Sequence, residues 1–244
     1  MEIVKKIIIP AGKQIIVHEI FESGNFEWHL EPHAHFTLIH QQEDIHAEFA
    51  SNISFKLSEG SSLNYHPIII GGHKSEFRIS AQLDTKATMT IAGAYALNNH
   101  QSCSLITRQE HYGAASTSAL IINGIAADDA AVSYQGAITI HKDATKSNAL
   151  QENKTMLIGS RAKAISIPSL EVQTNDVQCA HGSAVGPLQE AQVIYAQSRG
   201  LSVANARQLL ITSFFAQTLQ DILDENMRNK IVAQLVAKVM VHKE

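Results

Sequence analysis

From the amino terminus to about residue 174 the chain runs in short stretches of alternating apolar and polar residues, rich in Ile, Val, Thr and Leu and broken by Gly, Asn and Asp. Alternation with a period of two predicts half-buried β-strands. The clearest are Lys13–Glu19, Ile53–Leu57, Thr88–Leu97, Ala119–Ile122, Val132–Ile140, Thr155–Ile158 and Ile165–Val172. At Gly186-Pro187 the period changes to that of a helix. Pro187 suits the first position of a helix, where its missing donor costs nothing. Leu188, Ala191, Ile194 and Tyr195 then share a face until Gly200 stops it. Ser202 caps a second predicted helix, with Ala206, Leu209, Leu210, Phe214, Leu219, Ile222 and Leu223 as its apolar face. A third starts after Asp224, aligning Met227, Ile231, Leu235, Val236 and Val239. The pattern divides the chain into a strand-rich part, 1–174, and a helical subdomain, 175–244.

Turn elements recur between the later strands. Asp128-Asp129-Ala130, Lys142-Asp143-Ala144 and Ser160-Arg161-Ala162 each precede the next one. Loosely regular coils of this kind build a parallel β-helix, in which each turn buries its apolar side chains against the next. The periodicity alone leaves a β-sandwich or barrel equally open.

Composition narrows the function classes. With 244 residues, 45% hydrophobic and 17% charged, the chain is able to bury a core. A net charge of −4 without a dense Lys/Arg block gives no footprint for a phosphate backbone, so a nucleic-acid partner is not expected. The apolar run after Lys5-Lys6 is too short for a signal-peptide core, and no stretch reaches the length of a bilayer-spanning helix. Cys103 and Cys179 read as free thiols in a reducing compartment, which points to the cytoplasm.

The residues best suited to chemistry are Cys179 and His181. Two apart on an extended segment, they project to one side and present a thiol and an imidazole together, a metal-capable pair. Two ligands do not complete a metal site, and from spacing alone a small buried thiol beside a hydrogen-bonded histidine is the plainer reading. A second group, His29, His33, His35, His40 and His46, contains the His-x-His spacing that cupin metal sites place on a strand. Ile39 and His40 stand where that pattern needs a glutamate. Walker, nucleophile-elbow and dinucleotide-binding fingerprints are absent from the sequence.

Between Ala144 and Leu210 the sequence resembles the carboxy-terminal part of the SufB/SufD family of iron–sulfur cluster assembly scaffolds. The matching positions are Lys146, Leu157, Gly159, Pro168, Leu170, Glu171, Asp176, Val177, Cys179, His181, Gly182, Val185, Gly186, Leu188, Tyr195, Ser198, Arg199, Gly200, Ala206 and Leu209-Leu210. SufB-like members carry a cysteine where Asn153 stands here, and a glutamate where Gly182 stands, so the chain is similar to the SufD branch. The resemblance implies a parallel β-helix core and a scaffold, not an enzyme. It implies that His181, and Cys179 less directly, meets iron or a transient iron–sulfur cluster at the contact with a SufB-like partner. It further implies that the last two helices dock a SufC-like ATPase, with Leu210, Phe214 and Phe215 as candidates. Family members carry a helical region ahead of the β-helix, and here the strand pattern starts almost at Met1, so the chain reads as a shortened member. A homodimer, a cupin-like metal enzyme using His33 and His35, and a relative that keeps the fold without assembly are the alternatives.

Overall fold

The computed structural model describes residues 4–20, 22–42 and 48–240. Two seven-stranded sheets, parallel throughout, face each other. The first is ordered β1 (Val4–Ile9), β3 (Gly24–Leu30), β5 (Glu48–Leu57), β7 (Lys74–Leu83), β9 (Ser102–His111), β11 (Ala131–Ile140), β13 (Lys163–Val172). The second runs β14 (Gln178–Pro187), β12 (Asn148–Ile158), β10 (Thr117–Ala127), β8 (Thr88–Leu97), β6 (Ser62–Ile69), β4 (His35–Gln41), β2 (Gln14–Ile20). The chain alternates between the sheets, so each turn adds one strand to each and the whole is a β-solenoid of about 6 turns. The expected parallel β-helix is therefore present, followed by three helices. Thr88, Thr117, Asn148 and Gln178 stand in line on successive coils, which sets the repeat length.

Period-two alternation works here as it would in any half-buried strand: one row of each strand points inward and stacks on the same row of the next coil. In the earlier coils that row is aromatic and aliphatic. Trp28 stacks on Phe36 with ring centroids 4.9 Å apart, and Phe55 lies 5.0 Å from Tyr65. All four are buried.

One corner of the solenoid repeats a left-handed residue. Gly12, His33, Gly60, Lys86, Ala115 and Lys146 have φ between 56° and 64°. Each N–H reaches a carbonyl of the next coil, as His33 to Glu59 at 3.0 Å and Lys86 to Ala114 at 2.9 Å. The second corner is left-handed at Asn99 and Asp128, where Asn99 N–H donates to the Asp128 carboxylate at 3.0 Å and Asp128 N–H to Ile158 O at 3.1 Å. Left-handed backbone costs roughly 1–2 kcal/mol per non-glycine residue, and the ladder of inter-coil bonds offsets it.

Three helices follow: α1 (Glu190–Ser198), α2 (Val203–Thr218) and α3 (Glu225–Met240). Pro187 does not start the first one, which corrects that expectation. It is the last residue of β14 and pairs with Leu157, and the helix begins at Glu190. Among the described residues β14 has a neighbour on one side only, and an edge strand tolerates a residue without a donor. Ser202 caps α2 by accepting from Asn205 N at 3.2 Å, and Asp224 Oδ1 accepts from Met227 N at 3.0 Å. The Ser202 cap falls where the sequence placed it, and α3 starts after Asp224 as expected. α2 and α3 lie on the outer face of the second sheet. Ile211, Phe215, Leu219, Ile231, Leu235 and Val239 there meet Ile39, Ile68, Ala94, Ala96 and Ile125. Leu209 and Leu223, read as part of one broad apolar face, are instead exposed: Leu209 lies on the side of α2 away from the sheet, and Leu223 lies beyond the helix, which ends at Thr218. Among the described residues no helix is long and apolar enough to cross a membrane.

Candidate functional site at the open end of the solenoid

Among the described residues nothing is stacked on the last coil. There β13 pairs only with β11, and β14 only with β12, so the row that is core everywhere else is uncovered here. On β14 that row holds Cys179, His181, Ser183 and Val185, in register with Ala149, Gln151, Asn153 and Thr155 one coil below. On β13 it includes Leu170 and Val172, both exposed. Ile165 and Ile167, on the outer side of β13, are exposed as well. The end thus presents an apolar rim and two unpaired strand edges, a surface open to pairing with another chain.

Cys179 and His181 do point the same way, as period two requires, but their surroundings differ. Cys179 is half-buried, packed with Val177 against Ile138, Ile140, Ala144 and Ala149. Burial pushes its thiol above the ordinary cysteine value, so it carries its proton at neutral pH and becomes a ligand when a metal displaces that proton. His181 is exposed. Imidazole and thiolate both suit iron and its sulfide clusters. No group of three or more His, Cys, Asp or Glu able to hold a metal occurs among the described residues, so this pair is an incomplete site on the chain by itself. Cys103 lies deep in the core, its thiol pushed up to about 12 by burial, and is inert.

The amino-terminal histidines do not come together as a strand-borne pair. His33 sits in the left-handed corner and not on a strand; His35 opens β4; His29 meets Ser58 Oγ at 3.1 Å; His40 is buried 3.4 Å from Tyr65 Oη. His46 lies outside the described residues. A cupin is an antiparallel jelly roll, and these sheets are parallel throughout, so the fold is not that of the cupin alternative.

The docking candidates separate too. Phe215 has no exposed surface and is core, which corrects its assignment to a docking face; Phe214 and Leu210 are half-buried. Phenylalanines adjacent on a helix are about 100° apart around its axis, and here Phe215 takes the sheet side. The open apolar surface lies one turn away. A groove of about 530 Å³ between α1 and α2 is lined by Tyr195, Arg199, Leu201, Leu209 and Leu210. Arg199 lies over the Tyr195 ring, 5.3 Å from its centroid, and Nη2 donates to the hydroxyl at 3.3 Å.

The structure is thus a parallel β-solenoid with a thiol and an imidazole on its uncovered last coil and helices folded back along its side. Residues 7–214 match the family model for the SUF system FeS cluster assembly SufBD core domain, and the chain belongs to that family, close to SufD. Its relatives include the iron–sulfur cluster assembly protein SufD of Escherichia coli K12, 26% identical over 218 residues, which cover 88% of this chain and 51% of the relative. The SufD of Bacillus subtilis 168 is 28% identical over 156 residues, 64% of this chain and 34% of the relative. That of Plasmodium falciparum is 23% identical over 186 residues, 76% of this chain and 13% of the relative. The chain spans about half the length of the Escherichia coli relative, and less of the other two.

Proposed function

We propose that this chain is a SufD-like scaffold subunit of iron–sulfur cluster assembly in the cytoplasm. It joins a SufB-like partner at the open end of the solenoid and offers His181, with Cys179 beside it, to a nascent cluster that is cargo and not a resident cofactor. The observation that carries the reading is the exposed imidazole at the uncovered coil, flanked by unpaired strand edges: a partner's strands that continue the stack would enclose His181 and supply the ligands that this chain lacks. The chain works as a scaffold and not as a catalyst.

Anaerobic reconstitution with iron and sulfide in the presence of a SufB-like partner and a SufC-like ATPase tests this. His181→Ala is expected to lower cluster yield about tenfold or more, as loss of a ligand does, with the melting temperature unchanged because the side chain is exposed. Cys179→Ala is expected to have a smaller effect. Equal yield from His181→Ala would remove the imidazole from the mechanism. Assembly by the chain alone, as a dimer closing end to end, would replace the SufB-like partner with a second copy.

The helices are proposed to dock the ATPase through the α1–α2 groove. Tyr195→Ala combined with Leu209→Ala is expected to reduce co-purification of the ATPase at least tenfold, about 1.4 kcal/mol of binding, without a change in melting temperature. Unchanged recovery would count against this face. Phe215→Ala is no substitute test, since truncating a buried phenylalanine costs about 3–5 kcal/mol of stability.

A further inference from the structure

The inward row that ends at His181 changes character one coil before it. Tyr65, Ile91, Leu120, Gln151 and His181 stand in register on successive strands of the second sheet. The first three are core residues of the ordinary kind. Gln151 is just as completely buried, yet neither its Oε1 nor its Nε2 meets a hydrogen-bond partner among the described residues. Some polar groups of this region are paired, Thr107 with the Tyr134 hydroxyl at 2.9 Å, Asn153 Nδ2 with Ile122 O at 3.1 Å, and the Tyr95 hydroxyl with Thr155; Gln109, Asn153 Oδ1 and Ser166 Oγ share the lack of a partner, and of these side chains Gln151 is the one in register with His181. An unpaired buried amide costs roughly 1–3 kcal/mol, and a leucine, as one coil below at Leu120, would avoid that cost.

The fold makes room for this amide. Gly136 stands across from it on β11, and a β-carbon there would come within 2.3 Å of Gln151 Nε2. A glutamine kept at the site against a stability cost, and housed by a glycine, has a use that packing does not explain. The strand above is about 4.8 Å away, and its inward side chain at the same register is His181. Side chains in one register on neighbouring strands stand next to each other, so the amide and the ring are neighbours along the stack.

We propose that Gln151 is a positioning residue for His181: its Oε1 accepts the ring N–H when the end of the solenoid is covered, which fixes the tautomer and turns the other ring nitrogen toward the iron. Ligating imidazoles are commonly oriented in this way through their second nitrogen. The inference rests on the reading of His181 as a ligand. It adds that the ligand is held from within the solenoid, by a residue that does not touch the cluster.

The test uses the full chain with its SufB-like partner. The tautomer of His181 is followed by 15N-histidine NMR at a pH where the ring is neutral, and retention of iron by the reconstituted complex is measured against a chelator. Gln151→Met, similar in shape but without the acceptor, is expected to shift the tautomer ratio about fivefold and to weaken iron retention about tenfold. Its melting temperature should equal or exceed that of the parent. Gln151→Glu, which keeps the acceptor, is expected to restore the parent tautomer. Should the Met variant misfold, Gln151→Leu takes its place, with the side chain already accommodated at Leu120. Unchanged tautomer and iron retention in the Met or Leu variant overturn the proposal. If those variants behave like the parent while His181→Ala loses the cluster, the positioning role alone is wrong. If His181→Ala assembles normally, the ligand reading itself has failed.

Discussion

Replacing Gly113 with alanine is expected to cost about 3 kcal/mol or more, at the upper end of what overpacking does. Gly113 lies in the corner between β9 and β10, directly over the corner of the coil below. A β-carbon there would sit 1.9 Å from Thr85 N and 2.3 Å from the carbonyl carbon of Asp84. Both of those atoms are backbone, so no rotamer relieves the clash. Gly113 is also tied on both sides: its N–H donates to Leu83 O at 3.2 Å, and its carbonyl accepts from Ser116 Oγ at 2.9 Å. The coils would have to separate, against a strand spacing of about 4.8 Å set by the ladder itself. Gly124→Ala is expected to cost somewhat less, about 2–3 kcal/mol. Its β-carbon would meet the buried Tyr95 ring at 1.9 Å, and a ring can yield, though only by loosening its bond to Thr155. At Gly186 a β-carbon meets nothing within 4 Å, so Gly186→Ala should stay within about 0.5 kcal/mol. Urea unfolding of the three variants checks the order. A Gly113→Ala protein that unfolds at the parent midpoint would mean that the coils do not stack at this corner as described.

How much of this was legible in the sequence depends on the residue. Strands from Lys13 to Val172 were visible because a half-buried strand must alternate, and Ser202 because a cap has a side-chain chemistry of its own. The stacking of those strands was not visible in the alternation, since a sandwich presents the same pattern; it came from the resemblance around Cys179 and His181. The left-handed corner was hidden for another reason. Gly12, His33, Gly60, Lys86, Ala115 and Lys146 share no composition, and their conformation is imposed by hydrogen bonds to the neighbouring coil. That is why His33-Ala34-His35 could be read as a strand pair. Gln151 was hidden by its polarity: beside Asn153 and Thr155 it reads as solvent-facing, whereas all three are buried. Phe214 and Phe215 could not be ranked without knowing which side of α2 meets the sheet. For Cys179 and His181, period two supplied the shared direction. Their unequal exposure follows from the uncovered coil, a property of the stack and not of any local segment.

The same enclosed stack makes stability fall in mild acid. His111 is buried between two serines, with Nδ1 2.8 Å from Ser116 Oγ and Nε2 2.8 Å from Ser118 Oγ. The Ser116 hydroxyl also meets Gly113 O and Ser147 Oγ, and the ring, held between two uncharged hydroxyls, is neutral at pH 7 because burial disfavours its charge. Burial lowers its pKa to about 4. His40 is held lower still, to about 3, by burial and then by the charge of Lys5. Burial lowers that of His66 as well, beneath the helices. A histidine whose folded value lies below its unfolded value of about 6.5 favours the folded state fully above that pH. Below it the unfolded chain takes up the extra proton, and the advantage shrinks as pH falls toward the folded value. For His111 and His40 the loss by pH 5 is on the order of 2 kcal/mol each. Urea midpoints measured from pH 8 down to pH 5 are therefore expected to be flat above about pH 7 and then to fall, for a total of about 4 kcal/mol. His111→Gln, neutral at every pH in this range, should remove about half of the slope even if it lowers stability overall. A midpoint independent of pH between 7 and 5 would mean that these rings are not enclosed, and that the interior of the solenoid admits protons where the packing says it does not.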